Sequence, residues 1–128
     1  MNKACRYFMA FLPVFIGVSG AFSVLFGAWL AHASASYSLS DVERMTSAHF
    51  YQFIHTVILL VLWLAFEHKA RFVIALSALL MVNGIILFSG SLYVKTFFSY
   101  SEISALAPFG GMSFAIGWGV LLFLGKRK

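Results

Sequence analysis

Four long apolar runs, separated by short connections, constrain this chain more than any other feature of its sequence. Each run approaches or exceeds the ~20 residues with which a helix spans a bilayer. Hydrophobic residues make up 62% of the chain and charged residues 10%, which is more apolar surface than a soluble domain of this size can bury. The sequence therefore predicts an all-α membrane protein with four transmembrane helices. We expect a single domain over 1–128, with spans at about 7–32, 46–66, 72–94 and 104–124.

The basic side chains are sorted between the ends of these spans. Seven of the nine lie at the N-terminus, in the second connection and at the C-terminus: Lys3, Arg6, Lys69, Arg71, Lys126, Arg127 and Lys128. Arg44 and Lys95 fall in the other two connections. Because Lys and Arg favour the cytoplasmic side, we expect both termini in the cytoplasm. The net charge of +5 calls for no nucleic-acid partner, since the anionic headgroups of the lipid bilayer at that surface account for it.

The first span has a competing interpretation as a cleavable signal peptide, because a basic start and an apolar stretch precede the small residues 33–36. Its apolar stretch of about 25 residues, however, exceeds the ~7–15 of a signal-peptide core. The span also carries a small residue at every fourth position: Ser19, Ser23, Gly27 and Ala31. Such a stripe lies on one helix face and admits a close neighbour, which favours a retained span. A second stripe of Gly111, Ala115 and Gly119 predicts tight contacts of the fourth helix, within one chain or between copies.

Two Ser-x-x-Glu capping boxes indicate where helices begin. The box at 40–43 predicts a start of the second helix near Asp41, and the box at 99–102 precedes the fourth span. Pro108 follows six residues after Glu102, and a proline inside a helix removes a hydrogen bond and clashes with the preceding turn. We therefore expect a short helical turn near 99–106 and then a kink or a fresh start at Pro108.

Polar residues within the spans gather toward the predicted outer side of the membrane. The candidate cluster consists of His32, Gln52, His55, Ser89, Ser91, Tyr93, Gly110 and Gly111. Polar groups in hydrocarbon are costly unless they have partners, so these side chains are expected to face one another. The break at 108–111 would supply free carbonyl groups for them to meet.

Three interpretations of this cluster remain open. In the first, His55 bonds to Gln52, Tyr93 or a freed carbonyl and fixes the helix register. In the second, His32 and His55 carry protons or contact a ligand, because histidine changes charge near neutral pH. A metal or haem site is the third, but two histidines with no carboxylate or cysteine nearby offer too few ligands, so we predict no metal and no cofactor.

Catalytic machinery is not evident in the sequence. All four acidic residues lie in connections or at helix starts: Asp41, Glu43, Glu67 and Glu102. The order of the helices brings together no Ser-His-Asp set, and the chain has no glycine loop of the nucleotide-binding type. We therefore predict no catalytic residues.

Four motifs, one in each span, together carry a resemblance to a known family. They are Gly27-Ala28-Trp29-Leu30-Ala31-His32, Tyr51-Gln52-Phe53-Ile54-His55, Phe88-Ser89-Gly90-Ser91-Leu92-Tyr93, and Pro108-Phe109-Gly110-Gly111-Met112-Ser113-Phe114 with Gly117-Trp118. In this order they resemble the YgdD-type family of small bacterial inner-membrane proteins. The resemblance implies a multi-pass protein of the bacterial inner membrane, and it implies no activity because that family is classed as a domain of unknown function.

Two classes of function follow from these observations. The first is a structural or accessory protein that packs against another membrane protein or forms a homo-oligomer through its small-residue stripes. The alternative is a transporter, channel or ligand-binding membrane protein in which His32, Gln52 and His55 contact a proton, ion or lipid-like molecule. Transport paths usually keep ionisable groups within the membrane, and the spans hold no Asp, Glu, Lys or Arg, so the interaction role is favoured.

Overall fold

The computed structural model describes residues 1–125, and helices account for almost all of them. Four helical segments are long and apolar enough to cross a membrane: Lys3–Ala33, Leu39–His68, Phe72–Phe98 and Ser101–Gly125. This confirms the predicted all-helical architecture with four membrane-spanning helices. The basic residues on which the C-terminal part of the topology prediction depends, Lys126, Arg127 and Lys128, lie outside the described residues.

The third and fourth segments are not uniform α-helices. In chain order the elements are α1 (Lys3–Ala33), a 3₁₀ turn (Ser34–Ser36), α2 (Leu39–His68), α3 (Phe72–Gly84), a π-helical segment (Ile85–Gly90), α4 (Ser91–Phe98), a 3₁₀ helix (Ser101–Leu106), α5 (Ala107–Val120) and a final 3₁₀ turn (Leu121–Gly125). The π-helical segment leaves the span continuous, because α-helix borders it on both sides. The helix is locally wider in this segment, which directly precedes α4.

Both predicted capping boxes are wrong in position. The residue that caps α2 is Ser38, whose hydroxyl accepts a hydrogen bond from the Asp41 amide at 3.2 Å. Ser40 lies inside the first turn and bonds to the Ser38 hydroxyl instead. Ser99 ends α4 in a left-handed conformation with φ of 53°, so it closes one helix rather than starting the next. The chain must reverse direction at this point, and a left-handed residue is a common way to terminate a helix.

The break at Pro108 agrees with the sequence prediction. A 3₁₀ helix covers Ser101–Leu106, and α5 begins afresh at Ala107 with Pro108 in its first turn. The missing amide of proline has no consequence there, because the first amides of a helix lack an intrahelical partner in any case.

The pair formed by α2 and α3 lies at the centre of the bundle. Helix α1 packs mainly on α2, and α5 packs mainly on α3 and on the π-helical segment that follows it. The common core contains buried apolar side chains of all of these helices: Met9, Leu12, Leu59, Leu62, Ala78, Met81 and Phe114. As a consequence, α1 and α5 contact different faces of the central pair.

Glycines set how closely α5 approaches its neighbours. A Cβ atom added to Gly110 would lie 2.8 Å from the Cα atom of Phe88, in the π-helical segment. A Cβ atom on Gly84 would lie 2.9 Å from the ring atom Cγ of Phe114. Both distances are too short for a real side chain, so glycine is required at each position for this packing.

Candidate functional site

A chain of buried and partly buried hydrogen bonds joins α1, α2 and α4. The Tyr93 hydroxyl donates to the Gln52 side-chain oxygen at 2.8 Å, and the Gln52 amide nitrogen donates to the Ser19 hydroxyl at 3.1 Å. Ser19 and Thr56 share a hydrogen bond of 2.8 Å, and the Thr56 hydroxyl donates to the Gln52 carbonyl at 2.6 Å. A hydroxyl carries one proton, and that of Thr56 goes to the carbonyl, so Ser19 is the donor to Thr56. We call these four residues the Gln52 network.

The Gln52 network is enclosed by protein. Ser19, Gln52 and Thr56 are each 5–6% exposed, and the Tyr93 ring packs edge-on against Phe26 with ring centroids 4.9 Å apart. Each of the four side chains donates to an acceptor on a neighbouring element or on its own helix. In a medium of low polarity such a series is stabilising only while each member keeps its partner. The network therefore holds three helices at one rotation and one height relative to each other.

A second contact between α1 and α2 lies one turn further along, where His49 reaches the backbone of α1. The His49 Nε2 atom lies 2.8 Å from the Ser23 carbonyl oxygen, so the ring must donate its proton there. The Ser23 hydroxyl in turn donates to the Ser19 carbonyl at 2.8 Å. Gly27 makes room for the imidazole, since a Cβ atom at this position would lie 2.9 Å from Nε2.

This geometry predicts that Gly27→Ala pushes the His49 ring away from the Ser23 carbonyl. We expect a loss of about 1 kcal/mol of stability, the usual contribution of one hydrogen bond. Unfolding in mixed detergent micelles, followed by circular dichroism, would measure it. In a His49→Ala background the same glycine substitution should cost little, because the ring that it displaces is gone. Equal losses in both backgrounds would contradict the proposed contact.

His55 contacts α5, whereas the Gln52 side chain contacts α1 and α4. The His55 Nδ1 atom lies 2.7 Å from the Tyr51 carbonyl, and Trp118 of α5 donates its indole N–H to Nε2 at 3.1 Å. The imidazole also stacks on Phe114, with ring centroids 3.7 Å apart. Indole nitrogen only donates and carbonyl oxygen only accepts, so Nε2 is unprotonated and Nδ1 carries the hydrogen. His55 is therefore a neutral ring with both nitrogens bonded, and the predicted bonds to Gln52 or Tyr93 are wrong.

The remaining members of the predicted cluster do not converge on one point. The Ser89 hydroxyl donates to the Ala48 carbonyl at 2.7 Å, and the Ser91 hydroxyl donates to the Phe88 carbonyl at 3.0 Å. Gly110 is buried against the π-helical segment, whereas an added Cβ on Gly111 would meet no atom within 4 Å. His32 is exposed in the last turn of α1.

The two predicted stripes of small residues have different surroundings. Ser19 and Ser23 are buried and face α2 through the bonds described above, Gly27 faces His49, and Ala31 is exposed. On α5 the face turned toward α3 consists of Gly110, Ser113, Phe114 and Gly117. Gly111 and Gly119 have open space where a Cβ would point, and Ala115 is exposed. The second stripe thus lies on the outer surface of the bundle.

Three residues of the site were not included in the predicted cluster. His49 and Thr56 flank Gln52 at a spacing of three and four residues, which places all three on one helix face and is a readable signal. Trp118 gave no such signal, since nothing in the local sequence indicates that its indole meets a histidine on α2.

A further polar contact joins α3 and α5, where the Asn83 amide donates to the Ser113 hydroxyl at 3.1 Å and that hydroxyl donates to the Leu80 carbonyl.

The buried polar side chains within residues 1–125 all take part in hydrogen bonds. No buried side-chain nitrogen or oxygen among them lacks a hydrogen-bond partner. The same residues contain no group of three or more His, Cys, Asp and Glu side chains placed to hold a metal ion. The arrangement can fix helix positions, and each of its buried polar side-chain atoms already has a partner within the protein.

Four helices of membrane-spanning length, joined by side-chain hydrogen bonds, define a small integral membrane protein. The model of the family described as "Protein of unknown function (DUF423)" matches residues 26–111. The chain belongs to this family.

Curated relatives agree with that assignment. The UPF0382 inner membrane protein YgdD of Escherichia coli K12 is 30% identical over 113 residues, which covers 88% of this chain and 86% of the relative. A UPF0382 membrane protein of Haemophilus influenzae is 35% identical over 104 residues, 80% of this chain and 83% of the relative. The predicted resemblance to the YgdD-type family is thereby confirmed. No solved structure matches the chain.

Proposed function

We propose that this protein is an accessory component of the bacterial inner membrane that acts by contact with another membrane protein or with further copies of itself. The observation that carries the proposal is the closed hydrogen bonding of the spans. Each buried polar side-chain atom of residues 1–125 has a partner, so the Gln52 network and His55 serve to position helices. Because these polar groups are bonded within the bundle, its outer surface is the part that remains for recognising a partner protein.

The proposed orientation places the beginnings of α1 and α3 in the cytoplasm. Lys3, Arg6, Lys69 and Arg71 all lie at this end of the bundle, against a single acidic residue, Glu67. Excess Lys and Arg near span ends favours retention on the cytoplasmic side. The names of the relatives, which include an inner membrane protein, support the same membrane.

The outer stripe of α5 is the surface that we assign to the contact. An added Cβ on Gly111 or Gly119 would meet no atom within 4 Å, and Ala115 between them is exposed. Small residues at this spacing let a second helix approach closely, and close packing is the main source of helix association in lipid. The neighbouring side chains Met112 and Ile116, 60% and 54% exposed, would flank such a helix.

Gly111→Leu is expected to disperse the assembly while leaving the bundle folded, because the leucine points into open space. Native gel electrophoresis of protein extracted in mild detergent would report the size. Gly17→Leu is the matched control, since an added Cβ at Gly17 also meets nothing within 4 Å but lies on α1. An unchanged size for the Gly111 variant, or equal dispersal by the control, would contradict the assigned surface.

A transport or ligand-binding role through His32, Gln52 and His55 is tested by His55→Ala. The bonds of His55 to Tyr51 and Trp118 support an effect of this change on thermal stability. If the variant instead loses a bound molecule, seen as a missing stoichiometric mass in native mass spectrometry, at unchanged melting temperature, the accessory role is wrong and the cluster is a binding site.

A further inference from the structure

An apolar groove follows the seam between α1 and α3, at the end where both helices begin. It has a volume of about 270 Å³ and is lined by side chains that include Cys5, Phe8, Phe72, Ala75 and Leu79. A second hollow of about 180 Å³ continues along the seam, shares Phe8, and reaches Phe15 and Val82. We call the two together the seam groove. It exists because α1 packs mainly on α2 and leaves its side toward α3 partly uncovered.

The length of the seam groove along the helix axis matches the thickness of one leaflet of the bilayer. From Phe72 to Val82 a helix rises about 15 Å, at 1.5 Å per residue. That is half of the ~30 Å hydrocarbon thickness of a bilayer. The groove also opens toward lipid, since Phe11, Phe72 and Leu79 are 50–71% exposed.

The mouth of the seam groove is positively charged. Lys3 and Arg6 lie in the first turns of α1, and Lys69 comes shortly before α3; all three side chains are exposed. The positive ends of the α1 and α3 dipoles point toward the same mouth, which adds to the attraction for an anion. Basic residues at the mouth of an apolar cleft between transmembrane helices are the arrangement that holds acidic lipid headgroups.

We propose that the seam groove binds an acyl chain of one anionic phospholipid, with the lipid phosphate held at the mouth by Lys3 and Lys69. The match of the groove to one leaflet selects a lipid chain, and the charge at the mouth selects an acidic headgroup. The site lies on the opposite side of α2 and α3 from α5, so it is independent of the surface assigned to the accessory role.

Native mass spectrometry with defined lipids tests the proposal. The purified protein is titrated with phosphatidylglycerol and, separately, with phosphatidylcholine of the same acyl chains. We expect one phosphatidylglycerol per chain to be retained roughly thirtyfold better than phosphatidylcholine, because Lys3 and Lys69 each contribute on the order of 1 kcal/mol near an acidic headgroup and 1.4 kcal/mol is a factor of ten. Lys3→Gln with Lys69→Gln should remove this preference, and Lys95→Gln, at the opposite end of the bundle, should leave it unchanged.

A second experiment obstructs the seam groove. Ala4, which lines the groove and is exposed, is replaced by tryptophan, and Ala21→Trp on another exposed face of α1 is the control. Ala4→Trp should lower retention of both lipids about tenfold and Ala21→Trp should not. Equal retention of the two lipids by the parent protein would overturn the proposal, as would full binding by the Ala4 variant. A dimer that Ala4→Trp converts to a monomer would show that a second copy occupies the groove, which also overturns it.

Discussion

Gly110→Ala is expected to destabilise the bundle by about 3 kcal/mol, at the upper end of the usual cost of overpacking a core. A Cβ atom at this position would lie 2.8 Å from the backbone Cα of Phe88, and the backbone of a buried helical segment cannot rotate aside as a side chain can. Relief would require α5 to move away from the π-helical segment. That movement would also strain the bond between Trp118 and His55 and the stacking of Phe114 on the same ring.

The neighbouring glycine provides the control for this experiment. Gly111→Ala introduces the same methyl group into open space, and alanine favours a helix over glycine by up to ~1 kcal/mol. We therefore expect the Gly111 variant to be as stable as the parent or slightly more so. Both would be measured by unfolding in mixed detergent micelles with circular dichroism as the readout. Equal stability of the two variants would contradict the close approach of α5 to Phe88.

Gln52→Leu is expected to cost about 2 kcal/mol, because it removes the two side-chain bonds that join α2 to Tyr93 and Ser19. Single polar contacts between transmembrane helices contribute ~0.6 kcal/mol on average and up to ~1.7 kcal/mol. The effect should lie at the higher end here, since the Tyr93 hydroxyl loses its acceptor, whereas the Ser19 hydroxyl keeps its bond to Thr56. Phe53→Leu, at the adjacent residue and 47% exposed, should change stability by less than ~0.5 kcal/mol.

A double-mutant cycle separates the Tyr93 bond from the rest of this effect. Tyr93→Phe alone should cost about 1 kcal/mol, the contribution of one hydrogen bond. Combined with Gln52→Leu it should add little, because the partner of the hydroxyl is already gone. Strict additivity of the two losses would show that the Tyr93 hydroxyl and the Gln52 side chain do not interact.

Part of the site was predictable from spacing. His49, Gln52 and Thr56 follow the three-and-four residue spacing of one helix face, and Ser19 and Ser23 do the same on α1. Two such polar faces in adjacent spans would be expected to meet, because neither is stable toward lipid. The partners of His55 were not predictable, since Gln52 and His55 are close on α2 yet contact different helices. Which helix meets which face depends on how all the helices are rotated.

Some helix boundaries were likewise predictable from the sequence, and others were not. The fresh start of α5 follows from Pro108 and the missing amide of proline, a property of the residue itself. The cap at Ser38 could not be distinguished from the predicted cap at Ser40, because two serines near the start of α2 offer similar hydroxyls and the geometry of the connection selects between them. The π-helical segment Ile85–Gly90 has no local signal, and it lies where the backbone of α5 packs at Gly110.

The amino-acid sequence by itself determined the number of membrane-spanning helices and the family to which the chain belongs. Both depend on length, apolar composition and ordered motifs, which are independent of contacts between distant residues. The tertiary structure decided which faces of the helices meet. In a soluble bundle the apolar face marks the core, but in a membrane both the core side and the lipid side of a helix are apolar. The few buried hydrogen bonds and the glycine contacts at Gly27, Gly84 and Gly110 therefore define the packing, and they become visible only when the helices are placed together.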